Sequence, residues 1–377
     1  SLYQSDDDMI NTGIIHMKRK TNPVMRYDLT YWSSPVDNQM LYDLSPETLY
    51  DKFFWYDPIS KWSVNYFGTM MMVPGQGYNI RAPKSYSLTE RSIFEGIFKG
   101  IPNNGKIEFN FEYANRYYLV GNPYPSAISA DAFLKYNDGK TKGALYFWTH
   151  NAPPANNHYS GDGFATYNFL GGVGTKPAIV SGVSNSAPDG TIASGQGFLI
   201  KSNIEGTIEF NNSMRVMAKN TAFFKPAKNS TADVQIEKHR FWLNLKNDDN
   251  GFRQILLGYA DGASNALDLS YDAELLTSEG ALDFYSILEN KKLVIQGKAL
   301  PFLESDSIVL GYKANVKTTL TFEIDHQDKF FDSYTIILVD KTANKIHDLS
   351  KSSYQFNSEI GTYNDRFLLT YTNKILG

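Results

Sequence analysis

The 377-residue chain carries 36 Lys+Arg against 40 Asp+Glu, a net charge of −4 with no basic block, which argues against nucleic acid as a partner. With 24 Phe, 25 Tyr and only 20% charged residues, it lacks the low hydrophobicity and high charge of disorder, and its bias favours strands. The absence of Cys excludes disulfides, thiolate nucleophiles and Cys-ligated zinc and is consistent with export. No apolar run reaches the roughly 18 residues of a membrane helix, so the chain reads as not membrane-spanning.

In chain order, the N-terminal SLYQSDDDMINTG has no basic region followed by an apolar stretch, so it is not a signal peptide. The reading is of an internal or processed piece of a longer exported chain. Helical signals are few and short: residues 45–52 (SPETLYDK) and 129–136 (SADAFLKY) each place a Ser at the N-cap and acids in the first turn. The rest is short alternating or β-rich bursts bounded by Gly, Asn, Asp and Pro. They include 105–113, 116–121, 195–202, 206–211, 239–247, 253–260, 318–325, 333–340 and 366–372. Many short strands at this spacing predict a mostly β fold with few short helices.

Four landmarks recur in one order. Tyr31-Trp32-Ser33-Ser34-Pro35, Phe54-Trp55-Tyr56, Gly75-Gln76-Gly77 and the IEFN at 107–110 are matched by Tyr118 to Pro123, Tyr146-Phe147-Trp148, Gly195-Gln196-Gly197 and the IEFN at 208–211. The GQG blocks lie 120 residues apart and the IEFN blocks 101, so loop lengths differ on a shared strand plan. This predicts an internally duplicated β region over 1–222, with copies at about 24–113 and 114–218. Residues 223–235, rich in Lys, Asn, Ser and Thr, read as a linker. A C-terminal β-sandwich, jelly-roll or Ig-like, is expected over 236–377. Each GQG reads as a positive-φ turn or close backbone approach entering a strand; no Lys-Ser/Thr follows, as a phosphate loop would require.

Chemistry is sparsely signalled. No HExxH and no GxSxG occurs. His150 and His158 flank a Pro/Asn-rich loop followed by Tyr159 and Asp162, and with Trp148 they form the candidate ligand-binding residues; the plainer reading is an exposed variable loop. Asp248, Asp249 and Asn250 supply oxygens suited to calcium, but the spacing is not that of a twelve-residue calcium loop, and a hairpin between strands explains them as well. No metal or other cofactor is otherwise indicated. Glu95, Glu108, Glu112 and Glu209 lie in or beside expected strands, and two of them would have to meet in a cleft for glycoside hydrolysis. Trp32, Trp55, Trp62, Trp148, Tyr31, Tyr56 and Tyr146 gather at the landmarks. Such rings either fill the two cores, expected for most, or stack on a ligand; Trp148 is the one expected at the surface.

Several stretches together resemble a family. YWSSPV (31–36), GQGYNIRAP (75–83), YYLVGNPYPSAI (117–128), LYFWTHN (145–151), FATYNFLGG (164–172), IASGQGFLI (192–200), IEFNNSMR (208–215), RQILLGY (253–259), KLVIQGKALPF (292–302) and GTYNDRFLLTYTN (361–373) resemble large secreted proteins of flavobacteria and other Bacteroidota. The chain is similar there to the region just upstream of a C-terminal sorting domain of the type IX secretion system. The resemblance implies the type IX machinery as export partner and a secreted or cell-surface location on a Gram-negative bacterium. It supplies no catalytic residues. The expectation is a non-catalytic module for adhesion or for binding a surface glycan or protein. A structural stalk that presents other domains is the alternative, and a polysaccharide hydrolase the remote one.

Overall fold

Gly, Asn, Asp and Pro interrupt the chain every few residues, and β-branched and aromatic residues fill the intervals, so the backbone satisfies its N–H and C=O groups between strands. A computed structural model describes residues 2–149, 163–175, 187–217, 236–248, 251–276, 280 and 282–374. The protein is mostly β, with two short α-helices among the described residues. It divides into two units: Ser1–Asn157 with Pro177–Thr231, and His158–Lys176 with Ala232–Gly377. Residues 223–235 lie outside the described residues.

In the first unit the landmark strands repeat one pairing plan. Leu29–Trp32 pairs antiparallel with Tyr78–Arg81, which pairs with Phe53–Asp57, which pairs with the edge strand Lys61–Val64. Correspondingly, Tyr117–Gly121 pairs with Gly197–Ser202, which pairs with Thr141–Trp148. The registers match residue for residue: Phe54 faces Asn79 as Tyr146 faces Leu199, and Trp32 faces Tyr78 as Val120 faces Phe198.

The two Gly-Gln-Gly turns join the copies reciprocally. Gln76 bridges Val120 while Gln196 bridges Trp32. Ser33 N–H donates to Gly195 O (2.9 Å) and Gly121 N–H to Gly75 O (3.0 Å). Gly75 and Gly195 take φ of 83° and 71°, which a side chain would strain. A Cβ on Gly77 would lie 2.5 Å from Leu119 Cγ, and one on Gly121 would lie 2.5 Å from the Cβ of its counterpart Ser33. The IEFN strands complete the pattern by pairing with each other: Ile107 faces Phe210, Glu108 faces Glu209 and Phe109 faces Ile208. Equivalent residues thus meet across a local two-fold relation that runs through Glu108/Glu209 and Ser33/Gly121.

One helix forms as expected and one does not. Ala130–Tyr136 is helical, with Ser129 Oγ accepting Ala132 N–H as N-cap. Residues 45–52 are two successive turns, and the helix lies earlier, at Leu41–Leu44, with Ser45 as its C-cap. The reason is twofold. The residue before Pro46 is pushed out of the α region, and Ser45 Oγ bonds Thr48 Oγ1, which donates to Arg81 O of the neighbouring strand (2.7 Å).

In the second unit ten strands form one continuous ladder in place of two separate sheets. The order is Lys345–Asp348, Tyr334–Asp340, Gly361–Asn373, Ile308–Ala314, Leu282–Leu288, Lys291–Ala299, Phe252–Ala260, Lys238–Asn247, Thr318–Gln327, Tyr354–Ser358. Only Phe252–Ala260 with Lys291–Ala299 is a parallel pair among them. Phe241, Leu243, Leu257, Phe284, Leu310, Phe322, Leu338, Phe356 and Phe367, from eight different strands, share one core, so the sheet curls around it and is nearly closed. Side chains span the gap between strands near the two ends. Arg366 holds Asp340 through both oxygens (3.1 and 2.8 Å), Tyr354 Oη donates to the same carboxylate (3.0 Å), and Arg366 reaches Asn357 O (3.3 Å). On the outer face, the hairpin Phe164–Asn168 and Gly171–Val173 covers Lys238–Asn247: Trp242 Nε1 donates to Gly172 O (2.8 Å) and Arg240 to Leu170 O (3.0 Å). Burial on both faces explains the long runs of apolar residues there.

Candidate binding surface

Of the candidate ligand-binding residues read from sequence, Trp148 lies among the described residues. Trp148 is 7% exposed, so the expectation of a surface ring is corrected; it packs 6.2 Å from Tyr31, nearly parallel. His150, His158, Tyr159 and Asp162 lie outside the described residues. So do Asp249 and Asn250, whereas Asp248 follows directly on the strand Lys238–Asn247. Beside it, Asn247 and Gly251 close a hairpin through Gly251 N–H to Asn247 Oδ1 and Asn247 N–H to Gly251 O. Trp32, Tyr31 and Tyr146 are core, as expected for most of the aromatics; Trp55 and Tyr56 are half-buried, and Trp62 is at the surface.

Of the four strand carboxylates, Glu95 pairs with Lys18 and Lys20, and Glu112 is exposed. Glu108 and Glu209 do meet, with Lys106 Nζ 2.7 and 2.8 Å from them. Burial raises the Glu209 carboxyl, but hydrogen bonds from Lys106, Tyr136 and Asn211 outweigh it and leave it below its ordinary value. The shared lysine favours the ionised form of Glu209. This is the reverse of the raised pKa that the general acid of hydrolysis needs.

A second group of rings, outside the landmarks, forms a surface. Beyond the edge strand Lys61–Val64 the chain turns through Asn65 to Gly68. Asn65 Oδ1 accepts Met70 N–H (3.0 Å), Phe67 N–H donates to Tyr50 O (2.6 Å), and Gly68 sits so close to the helix Leu41–Leu44 that a Cβ would lie 2.9 Å from Tyr42 N. These bonds force Phe67 to φ 64°, ψ 7°, a left-handed conformation that is rare for a bulky residue. Tyr50 stacks on Phe67 at 5.2 Å and on Tyr66 at 6.3 Å. The three rings are 54%, 62% and 59% exposed. Tyr42, Val64, Met71 and Val73 are also exposed on this stretch of chain. Sequence reading missed this group because Tyr50 and Tyr66-Phe67 do not recur. The pattern of an aromatic pair before a Gly, straight after a strand, was the available signal.

The chain is therefore a mostly β protein that presents a surface of stacked aromatic rings. It belongs to the family described as Domain of unknown function (DUF8693), whose model matches residues 1–371. No curated protein and no solved structure matches it.

Proposed function

We propose that the chain is a non-catalytic binding module of a secreted or cell-surface protein, delivered by the type IX route that its resemblance implies, and that Tyr50, Tyr66 and Phe67 contact the ligand. The observation that carries this reading is Phe67. A bulky ring at positive φ costs about 1 kcal/mol, and its side chain is mostly in water, so packing supplies little return. Strain of this kind concentrates where a side chain must be presented to something else. Stacked, exposed tyrosines suit a sugar polymer or a protein surface, because each ring offers an apolar face and a polar tip.

The test separates stability from binding. Phe67→Gly should raise the melting temperature, since Gly adopts this φ without penalty. In a glycan array and in pull-downs against cell-surface polymers, the same variant and Tyr50→Ala should lose about tenfold or more in affinity. Binding that survives both substitutions would remove this surface from the proposal. Antibody labelling of intact source cells checks the location.

A further inference from the structure

The N-terminal segment 2–12 forms no strand or helix, yet it is tied across the junction of the two copies. Asn104 Nδ2 donates to Asp6 O (2.8 Å) and Met9 O (2.9 Å). Asn212 donates through Nδ2 to Asp6 O (2.9 Å) and through its backbone N–H to Asp7 Oδ1 (2.9 Å). Arg215 Nη2 donates to Leu2 O (2.6 Å). Asn104 precedes the first IEFN strand and Asn212 and Arg215 follow the second, so the receiving groups come from both copies. Arg215 is 3% exposed; its other acceptors, Ser126 Oγ, Asn104 Oδ1 and Asn212 Oδ1, are all neutral, and burial lowers its pKa to about 10. The nearby acid is Asp7, in the strap itself.

The strap is held by these polar bonds more than by packing. Met9 and Ile10 are 58% and 87% exposed, and Leu2 borders a cavity of about 340 Å³ with Ile15, Met17 and Pro125. It joins the strand Ile15–Lys20 through Gly13, at φ 87° with open space around it, which can serve as a hinge.

We propose that this seam is a receptor for an extended acidic segment, filled in cis by the chain's own strap, and that it takes the strap of a second copy of the chain in trans. The donors and acceptors are the same in both arrangements, so the choice between them is set by hinge geometry and concentration, as in domain swapping. Charge complementarity selects the occupant: the buried Arg215 faces a segment that carries Asp6, Asp7 and Asp8. This inference does not depend on the aromatic surface.

Two variants of the 377-residue chain make the exchange visible. Arg215→Met spoils the seam and leaves an intact strap, whereas Asp7→Lys spoils the strap and leaves an intact seam. Each alone should have the mass of one chain by light scattering, and an incubated mixture should give a mass of two chains. In parallel, a fluorescent peptide of residues 1–12 should bind the Asp7→Lys chain at least about tenfold more tightly than wild type, whose seam is already filled. A peptide carrying the same Asp7→Lys change should not bind. This second arm stands if Arg215→Met fails to fold. A mixture that stays monomeric with both partners folded, or no peptide binding to a folded Asp7→Lys chain, would overturn the proposal.

Discussion

Asp272 shows how a single residue can set a pH response. It is 4% exposed, and its oxygens accept the N–H groups of Gly297 (2.9 Å) and Asp268 (2.8 Å). Burial nevertheless dominates, aided by the negative charges of Asp268 and Glu289, and pushes its pKa up to about 7. An unfolded Asp titrates near 3.9, so the folded state binds this proton more tightly. The resulting stability is fully present below about pH 4 and is lost as pH rises through 7, by a few kcal/mol for a shift of this size. In melts at pH 5 and pH 8, wild type should lose stability relative to Asp272→Asn, whose own cost does not titrate. A difference that stays constant with pH would contradict this. Phe67 belongs to the same scale: its strain is local, and its consequence is a ring held out in water.

At the level of elements, the Gly-Gln-Gly turns act as joints between copies. Their sequence showed that Gly was needed, for positive φ or for close approach, and both reasons apply: φ at Gly75 and Gly195, contact at Gly77 and Gly197. Gly77→Ala would drive a methyl into Leu119 Cγ and within 2.9 Å of Val120 O. Overpacking against a backbone carbonyl typically costs about 1–3 kcal/mol. Denaturant unfolding should show at least that loss, and an unchanged midpoint would mean that the copies are not joined as described. The misplaced helix teaches the complementary point. Ser-Pro-Glu at 45–47 is a sound local start signal, but Thr48 found a partner in a strand more than thirty residues away, and that bond does not appear in any local window.

For the C-terminal unit as a whole, stability depends on how its curled sheet is held shut. The end strands Lys345–Asp348 and Tyr354–Ser358 do not pair with each other, and the Asp340–Arg366–Tyr354 cluster spans the gap. Burial raises the Asp340 carboxyl, but Arg366 and the Ala343 N–H more than reverse that and hold it below its ordinary value. Removing one partner leaves a buried charge uncompensated, at about 3–5 kcal/mol, so Arg366→Met should lower the unfolding free energy of this unit by that amount in denaturant titrations. Because the folded pKa lies below the unfolded one, the stability is present above about pH 4 and is lost as pH falls through the folded value. Acid should therefore narrow the gap between wild type and variant. A gap of the same size at all pH values would show that the ion pair is not what closes the sheet.

Composition and turn spacing determined that this chain would be mostly β, because alternation and Gly, Asn and Pro act over a few residues and need no distant partner. The repeated landmarks likewise carried the pairing plan of the first unit, since a strand's register follows from which of its faces is apolar. The tertiary structure alone decided which rings were buried. Trp148 and Phe67 have equally plain sequence surroundings, and only the folded chain covers one and leaves the other in water. It also decided that Glu108 meets Glu209 across a shared lysine, and that the acidic segment 6–8 lies against Asn104, Asn212 and Arg215. Contacts between residues a hundred or two hundred positions apart are set by how sheets curl and copies dock, and those geometries leave no mark on local sequence.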